Sequence, residues 1–259
     1  MESSIEAFLT QGVFAFMLTF IRVGSALMLM PGIGDTFTPM RIRLLIALSI
    51  SFCIVPIVAS HLPAEPPSTI LLFSLLGAEF IVGIFVGMIA RILMAALDTA
   101  GMVISLMSGL ANAQVFNPGF SSQGSLPGAL LTMTGVMIVF ATNMHHFLIW
   151  GVIGSYDVFP VGEVPDTGGM AQIMTQMVVS SFLIGVQIAA PFFVISLLVY
   201  IAMGVMARLM PQVQVFLLAL PLQIVLSLVC LFMIISSALL FWLSEFEQGM
   251  VFFLSNTGF

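Results

Sequence analysis

The sequence predicts an all-α integral membrane protein, and three observations carry that prediction. Its 259 residues include no lysine, and the stretches 99–156, 167–207 and 209–244 contain no Asp, Glu, Lys or Arg. Hydrophobic residues make up 61% of the chain and charged residues 6%, with a mean hydropathy of +1.24. A soluble domain carries charge at roughly a quarter of its positions. The long apolar runs also lack the alternation of barrel strands, so in a bilayer only helices satisfy their backbone.

Charges, Pro and Gly divide the chain into apolar segments near 7–30, 44–60, 69–95, 129–155, 171–207 and 212–243. About 20 helical residues cross a hydrocarbon layer of about 30 Å, so these are about six long hydrophobic helices. The opening Met1-Glu2-Ser3-Ser4-Ile5-Glu6 lacks the basic region of a cleaved signal, and the first segment is expected to remain as an anchor. Basic residues near span ends stay cytoplasmic. Counting six spans puts Arg41, Arg43, Arg91 and Arg208 on one side. The N-terminus is then external, with the loops at 61–68 and 156–170 and their acids Glu65, Asp157, Glu163 and Asp166. The tail from Glu245 to Leu254 can lie in the interface or re-enter, and its side stays open.

Two regions depart from a plain bundle. Segment 171–207 has 37 residues, about 55 Å as one helix, so it must tilt, kink at Pro191 or project beyond the bilayer. The region 98–128 lies between spans that begin and end on the same side, so it is expected to be re-entrant or packed within a larger assembly. Neither an internal repeat nor a long polar linker is evident, and 1–259 is read as one membrane domain.

Polar residues in such a chain are the candidate functional positions. Asp98, Gly101, Ser105, Ser108 and Asn112 recur at helical spacing and form one polar stripe. Close helix packing by small residues and the lining of a conduit both account for it. The next residues, rich in Gly, Pro, Asn and Ser, form a loop. On it Val115, Phe116, Asn117, Pro118 and Phe120 are candidates for a movable apolar stopper in a pore; the alternative is an ordinary surface loop. Arg22, Glu79 and Asp98 are charges within apolar segments and require partners, and Arg91 is a further intramembrane charge. Glu79, Gly83, Gly87 and Arg91 recur every four residues, with glycines that permit close approach. The 20 methionines include Met28 and Met30 near Pro31 and Met203, Met206 and Met210 around Arg208, whose flexible thioethers suit a gate that re-packs around varied polypeptides, although most of the 20 read as core filler. Cys53 and Cys230 stand alone in apolar runs.

Chemistry finds little support. Gly32-Ile33-Gly34-Asp35 matches the GxGD element of intramembrane aspartyl proteases, with Asp157 as a second carboxylate. In those enzymes the Tyr-Asp element comes first and both elements lie in helices. Here the order is reversed and Pro31 puts Asp35 in a loop. His145-His146 has no nearby carboxylate or metal ligand, and no Walker A loop is present. No catalytic residue, metal site or cofactor is therefore assigned. A basic footprint for nucleic acid is also missing, as are the related halves of a small-solute transporter.

A series of elements in order resembles the FliR family of flagellar type III export proteins. These are Arg22-Val23-Gly24 through Pro31-Gly32-Ile33-Gly34, Pro39 before Arg41-Ile42-Arg43, and Glu79-Phe80-Ile81-Val82-Gly83 with Gly87. Next come Ala100-Gly101 through Gly109-Leu110 to Asn117-Pro118, and Asn143-Met144-His145-His146. Ala190-Pro191, then Arg208-Leu209-Met210-Pro211-Gln212-Val213-Gln214-Val215-Phe216 and Pro221 complete the series. Met144 stands where the family usually has Gly, and Asn112 where it often has a large residue.

The resemblance implies a non-enzymatic, pore-forming subunit of the export gate in the bacterial inner membrane, at the flagellar basal body. Its implied partners are FliP- and FliQ-like subunits, FlhB- and FlhA-like export proteins, membrane lipid and transient unfolded substrates. It implies bent helical hairpins packed in a helical assembly, with 1–165 FliP-like and 171–243 a FliQ-like hairpin turning at Arg208, Pro211 and Gln212. The loop matching 109–125 is implied to plug the pore. The equivalent subunit of a virulence injectisome shares this pattern and is the alternative.

Overall fold

The computed structural model describes residues 2–63, 68–111, 124–163, 165–210 and 215–254, with side chains described except at 2–10, 215–218 and 251–254. Seven α-helices occur among the described residues: α1 (Glu2–Leu29), α2 (Met40–Val58), α3 (Thr69–Met107), α4 (Leu126–Ala141), α5 (Met144–Val158), α6 (Thr167–Leu209) and α7 (Val215–Leu254). A short 3-10 turn, Ala59–His61, follows α2. No strand occurs among the described residues. Five of these helices are long and apolar enough to cross a membrane, or six with α4 and α5 taken as one broken span. The all-α membrane fold expected from composition is the fold observed.

Two boundaries differ from the sequence reading. The third helix does not stop near 95 but runs 39 residues to Met107, so the start of the region 98–128 continues it. Asp98 is exposed on the helix surface, and one carboxylate there does not break the ladder in the absence of Pro. Segment 129–155, in contrast, is two helices. Asn143 takes the left-handed conformation at φ 60°, one that Asn adopts more readily than most residues, and α5 starts anew after it. The helix α6 is continuous through Pro191 over 43 residues, about twice what a bilayer crossing needs.

The chain forms two compact units, one from 1–93, 140–177 and 247–259, the other from 94–139 and 178–246. In the first, α1 packs on α2 and both touch α5. A buried line on α1 runs Phe14, Leu18, Arg22 and Ala26, spaced by four, and the buried Met30 just past its end continues it. The opening part of α3 fits against it through glycines. A Cβ at Gly83 would collide with Ser25 Oγ and the Arg22 carbonyl, and one at Gly87 would press on the Ala26 carbonyl. Such notches let helix backbones approach closely where lipid offers no hydrophobic drive between helices.

The second unit packs the rest of α3 with most of α4, α6 and α7. Gly101 meets the backbone of Pro127 and Gly128 at the start of α4, and Gly185 of α6 rests on the Ala96 carbonyl and Thr99. Trp242 is fully buried beside Phe246, and Gly135 leaves it room. The buried line of α7 is narrow: Ala219, Gln223, Ser227, Leu231, Leu239 and Trp242. Its other faces are apolar yet exposed, with Phe232 at 80% and Met233 at 79%.

Candidate functional site

Helices α1, α3 and α5 bring together one buried charge network in the first unit. Arg22 and Glu79, read from the sequence as charges in need of partners, pair with each other across 57 residues. The guanidinium Nε donates to Glu79 Oε2 at 2.6 Å and Nη2 to Oε1 at 2.9 Å, a bidentate fork. Nη2 also donates to the Phe159 carbonyl at 3.0 Å, and Nη1 to Ser155 Oγ at 3.3 Å. Ser155 in turn donates to the Val152 carbonyl at 2.6 Å. The guanidinium carbon lies 3.9 Å from the ring centre of Tyr156, a cation–π contact. Arg22 and Glu79 are 1% and 2% exposed, so each charge is neutralised and almost fully hydrogen-bonded where it would otherwise destabilise the fold.

Arg91 lies in a second network, around the loop between α1 and α2. Its Nη1 donates to Asp35 Oδ1 at 2.5 Å, while Asp35 Oδ2 accepts from the Gly32 amide at 2.7 Å. Arg43 Nη2 donates to the carbonyls of Asp35 and Thr38 at 2.7 and 2.9 Å. Gly32 sits at φ 84° and turns the chain. Asp35 is thus a strut of this loop. Asp157 stands by His61, with 3.7 Å between Oδ1 and Nε2. It follows Tyr156 at the level of Glu79, whereas Asp35 lies at the level of Arg91. Those positions are twelve residues apart on α3, about 18 Å of helix rise. The two aspartates do not form a dyad.

Most of the polar stripe sits on α3 in the second unit. Gly101, Ser105 and Ser108 are buried and Asp98 is exposed; Asn112 lies outside the described residues. Ser108 Oγ donates to the Ser105 carbonyl at 3.2 Å. Directly beside it, the Met107 carbonyl accepts from Ser196 Oγ of α6 at 2.6 Å and from Gln223 Nε2 of α7 at 2.5 Å. Both donors are buried, and the sequence reading passed over them. Their signal was present, since Gln223 and Ser227 stand one turn apart in an otherwise apolar run.

Val115, Phe116, Asn117, Pro118 and Phe120, together with Pro211, Gln212 and Glu65, lie outside the described residues. Arg208 is exposed in the last turn of α6. The rings of His145 and His146 stand 4.2 Å apart, with Phe140 stacked on His145 at 5.0 Å. Among the described residues no three His, Cys, Asp or Glu gather as a metal site would require.

The family model of bacterial export proteins, family 1, matches residues 13–249. The flagellar biosynthetic protein FliR of Caulobacter vibrioides is 35% identical over 236 residues, covering 91% of this chain and 94% of that protein. FliR of Bacillus subtilis is 30% identical over 227 residues, 86% of each chain. The Yop proteins translocation protein T of Yersinia pestis is 30% identical over 182 residues, 69% of each. The chain belongs to bacterial export proteins, family 1, and within it to the FliR family of flagellar biosynthetic proteins.

Proposed function

We propose that the chain is a structural, pore-forming subunit of the flagellar protein-export gate in the bacterial inner membrane, without catalytic activity of its own. One observation carries the reading: α6 and α7 bury only narrow lines of residues and leave long apolar faces exposed, among them Phe182, Leu197, Leu226 and Phe232. Faces of that kind need lipid or other subunits against them. The first part, 1–165, is FliP-like, and 171–243 forms a FliQ-like hairpin turning at Arg208, Pro211 and Gln212. FliP- and FliQ-like subunits flank the chain, FlhB- and FlhA-like proteins stand near, and unfolded substrates pass through.

The N-terminus lies outside in this reading, which the distribution of the arginines supports. Asp98, Gly101, Ser105, Ser108 and Asn112 lead into the loop 109–125, whose Val115, Phe116, Asn117, Pro118 and Phe120 close the idle pore to water and ions. The injectisome reading has support in the Yersinia relative, which covers less of the chain than the Caulobacter one does.

Deletion of the gene abolishes swimming and export of flagellar substrates, and re-expression of the chain restores both. An Asp35→Asn, Asp157→Asn double variant also restores swimming, because neither carboxylate performs chemistry. Secretion of injectisome effectors with swimming untouched overturns the flagellar assignment, and loss of swimming in a stably assembled aspartate variant overturns the non-enzymatic one.

A further inference from the structure

We infer that the Asp98 carboxylate forms an ion pair with an Arg or Lys side chain on a membrane helix of another gate subunit, and that this helix docks along the exposed line of α3 around Asp98; the inference rests on the multi-subunit gate proposed above. From 94 to 107 only Ala95, Asp98, Met102 and Leu106 of α3 are exposed, Met102 at 51% and Leu106 at 56%. Steps of three and four put them on one face. On one flank of that face Gly101 meets Pro127 and Gly128 of α4, and on the other Ala96 and Thr99 meet Gly185 of α6. A strip one side chain wide is left between them.

Asp98 has no counter-charge in its own chain, which contains five arginines and no lysine. Glu79 holds Arg22, Asp35 holds Arg91, and the Asp35 and Thr38 carbonyls take up Arg43. Arg208 is the one arginine in the unit that contains Asp98, and it is out of reach. Gly185 lies against Ala96, and Ser196 donates to the Met107 carbonyl, so α3 and α6 run in the same direction here. Arg208 stands twelve residues beyond Ser196 and Asp98 nine before Met107, which separates them by roughly 30 Å of helix rise. No hydrogen bond or ion pair joins the Asp98 carboxylate to any described residue.

Neither lipid nor bulk water suits this strip. A carboxylate on a single methylene cannot snorkel away from acyl chains as Arg or Lys does. Ala95, Met102 and Leu106 are apolar where a water-filled surface would be polar. A helix that is apolar apart from one cation satisfies both kinds of residue at once. It covers the apolar positions, and it gives the carboxylate a charge-assisted hydrogen bond away from competing water.

The test measures how much tagged chain enters isolated gates relative to the amount in the membrane. Asp98→Leu and Asp98→Asn are each expected to lower that ratio roughly tenfold or more, since each leaves the partner's cation buried without its charge. Asp98→Glu is expected to retain it. In the Asp98→Asn background, selection for regained swimming is expected to return neutral substitutions of an Arg or Lys in a membrane helix of a co-isolated subunit. An Asp98→Leu variant that enters gates as well as the parent means a lipid-facing residue, and an Asp98→Asn variant that does so means a water-facing one; either overturns the pair. If a variant fails to accumulate in the membrane, a photoactivatable cross-linker at Met102, one turn from Asp98, decides instead. An adduct to another subunit's membrane helix that bears Arg or Lys supports the pair; adducts to lipid alone, or to a helix with neither residue, overturn it. If the parent chain itself is isolated without other subunits, the gate reading fails and the pair with it.

Discussion

At the residue scale the Arg22–Glu79 pair is the sharpest feature, because it places full charges in a nearly solvent-free site. Removing one member leaves the other buried without compensation, a loss of about 3–5 kcal/mol, whereas replacing both with apolar residues of similar volume is far milder. Arg22→Met and Glu79→Leu alone are therefore expected to lower the amount of chain incorporated into gates sharply. The double variant is expected to recover much of it. Quantifying the chain in isolated gates checks this, and a double variant as depleted as the sum of the singles contradicts it.

The pair also marks a limit of sequence reading. Apolar surroundings showed that Arg22 and Glu79 needed partners, but periodicity relates only residues on one helix, and these stand 57 apart. Ser196 and Gln223 were passed over for a related reason. A lone polar residue in an apolar helix shows no period, and its purpose is visible only when the Met107 carbonyl is beside it.

At the element scale, glycine notches decide how closely helices dock. Gly83 has no room for a Cβ against α1, while Gly77, six residues earlier on α3, has nothing within 4 Å of where one would stand. Gly83→Val is expected to separate α1 from α3, break the nearby Arg22–Glu79 fork and prevent gate assembly. Gly77→Ala is expected to be neutral or stabilising by about 0.5–1 kcal/mol, since Gly within a helix has entropy to lose. Heating isolated gates and following dissociation separates the two, and equal behaviour of the variants contradicts the notch.

Helix boundaries were less legible than helix identity. The third apolar segment was read to end near 95, but the exposed carboxylate of Asp98 leaves α3 intact to Met107. Asn143 was read as part of the family pattern and not as a helix break, yet it supplies the left-handed residue that divides α4 from α5. Long apolar runs announce helices; a single backbone conformation decides where they end.

At the scale of the whole molecule, composition made the membrane setting plain, because runs without any charge have no place in a soluble core. What surrounds each face was not legible, since hydropathy does not distinguish lipid from an apolar neighbour. The exposed apolar faces of α6 and α7 are the places to ask. The most direct measurement puts a photoactivatable cross-linker, in living cells, at Phe182 and Leu197 of α6 and at Phe232 of α7, each exposed in the isolated chain. The account predicts covalent adducts to small hydrophobic export subunits at these positions, recovered with the tagged chain. Adducts to lipid alone at all three, from a chain isolated as a lone monomer, would contradict it.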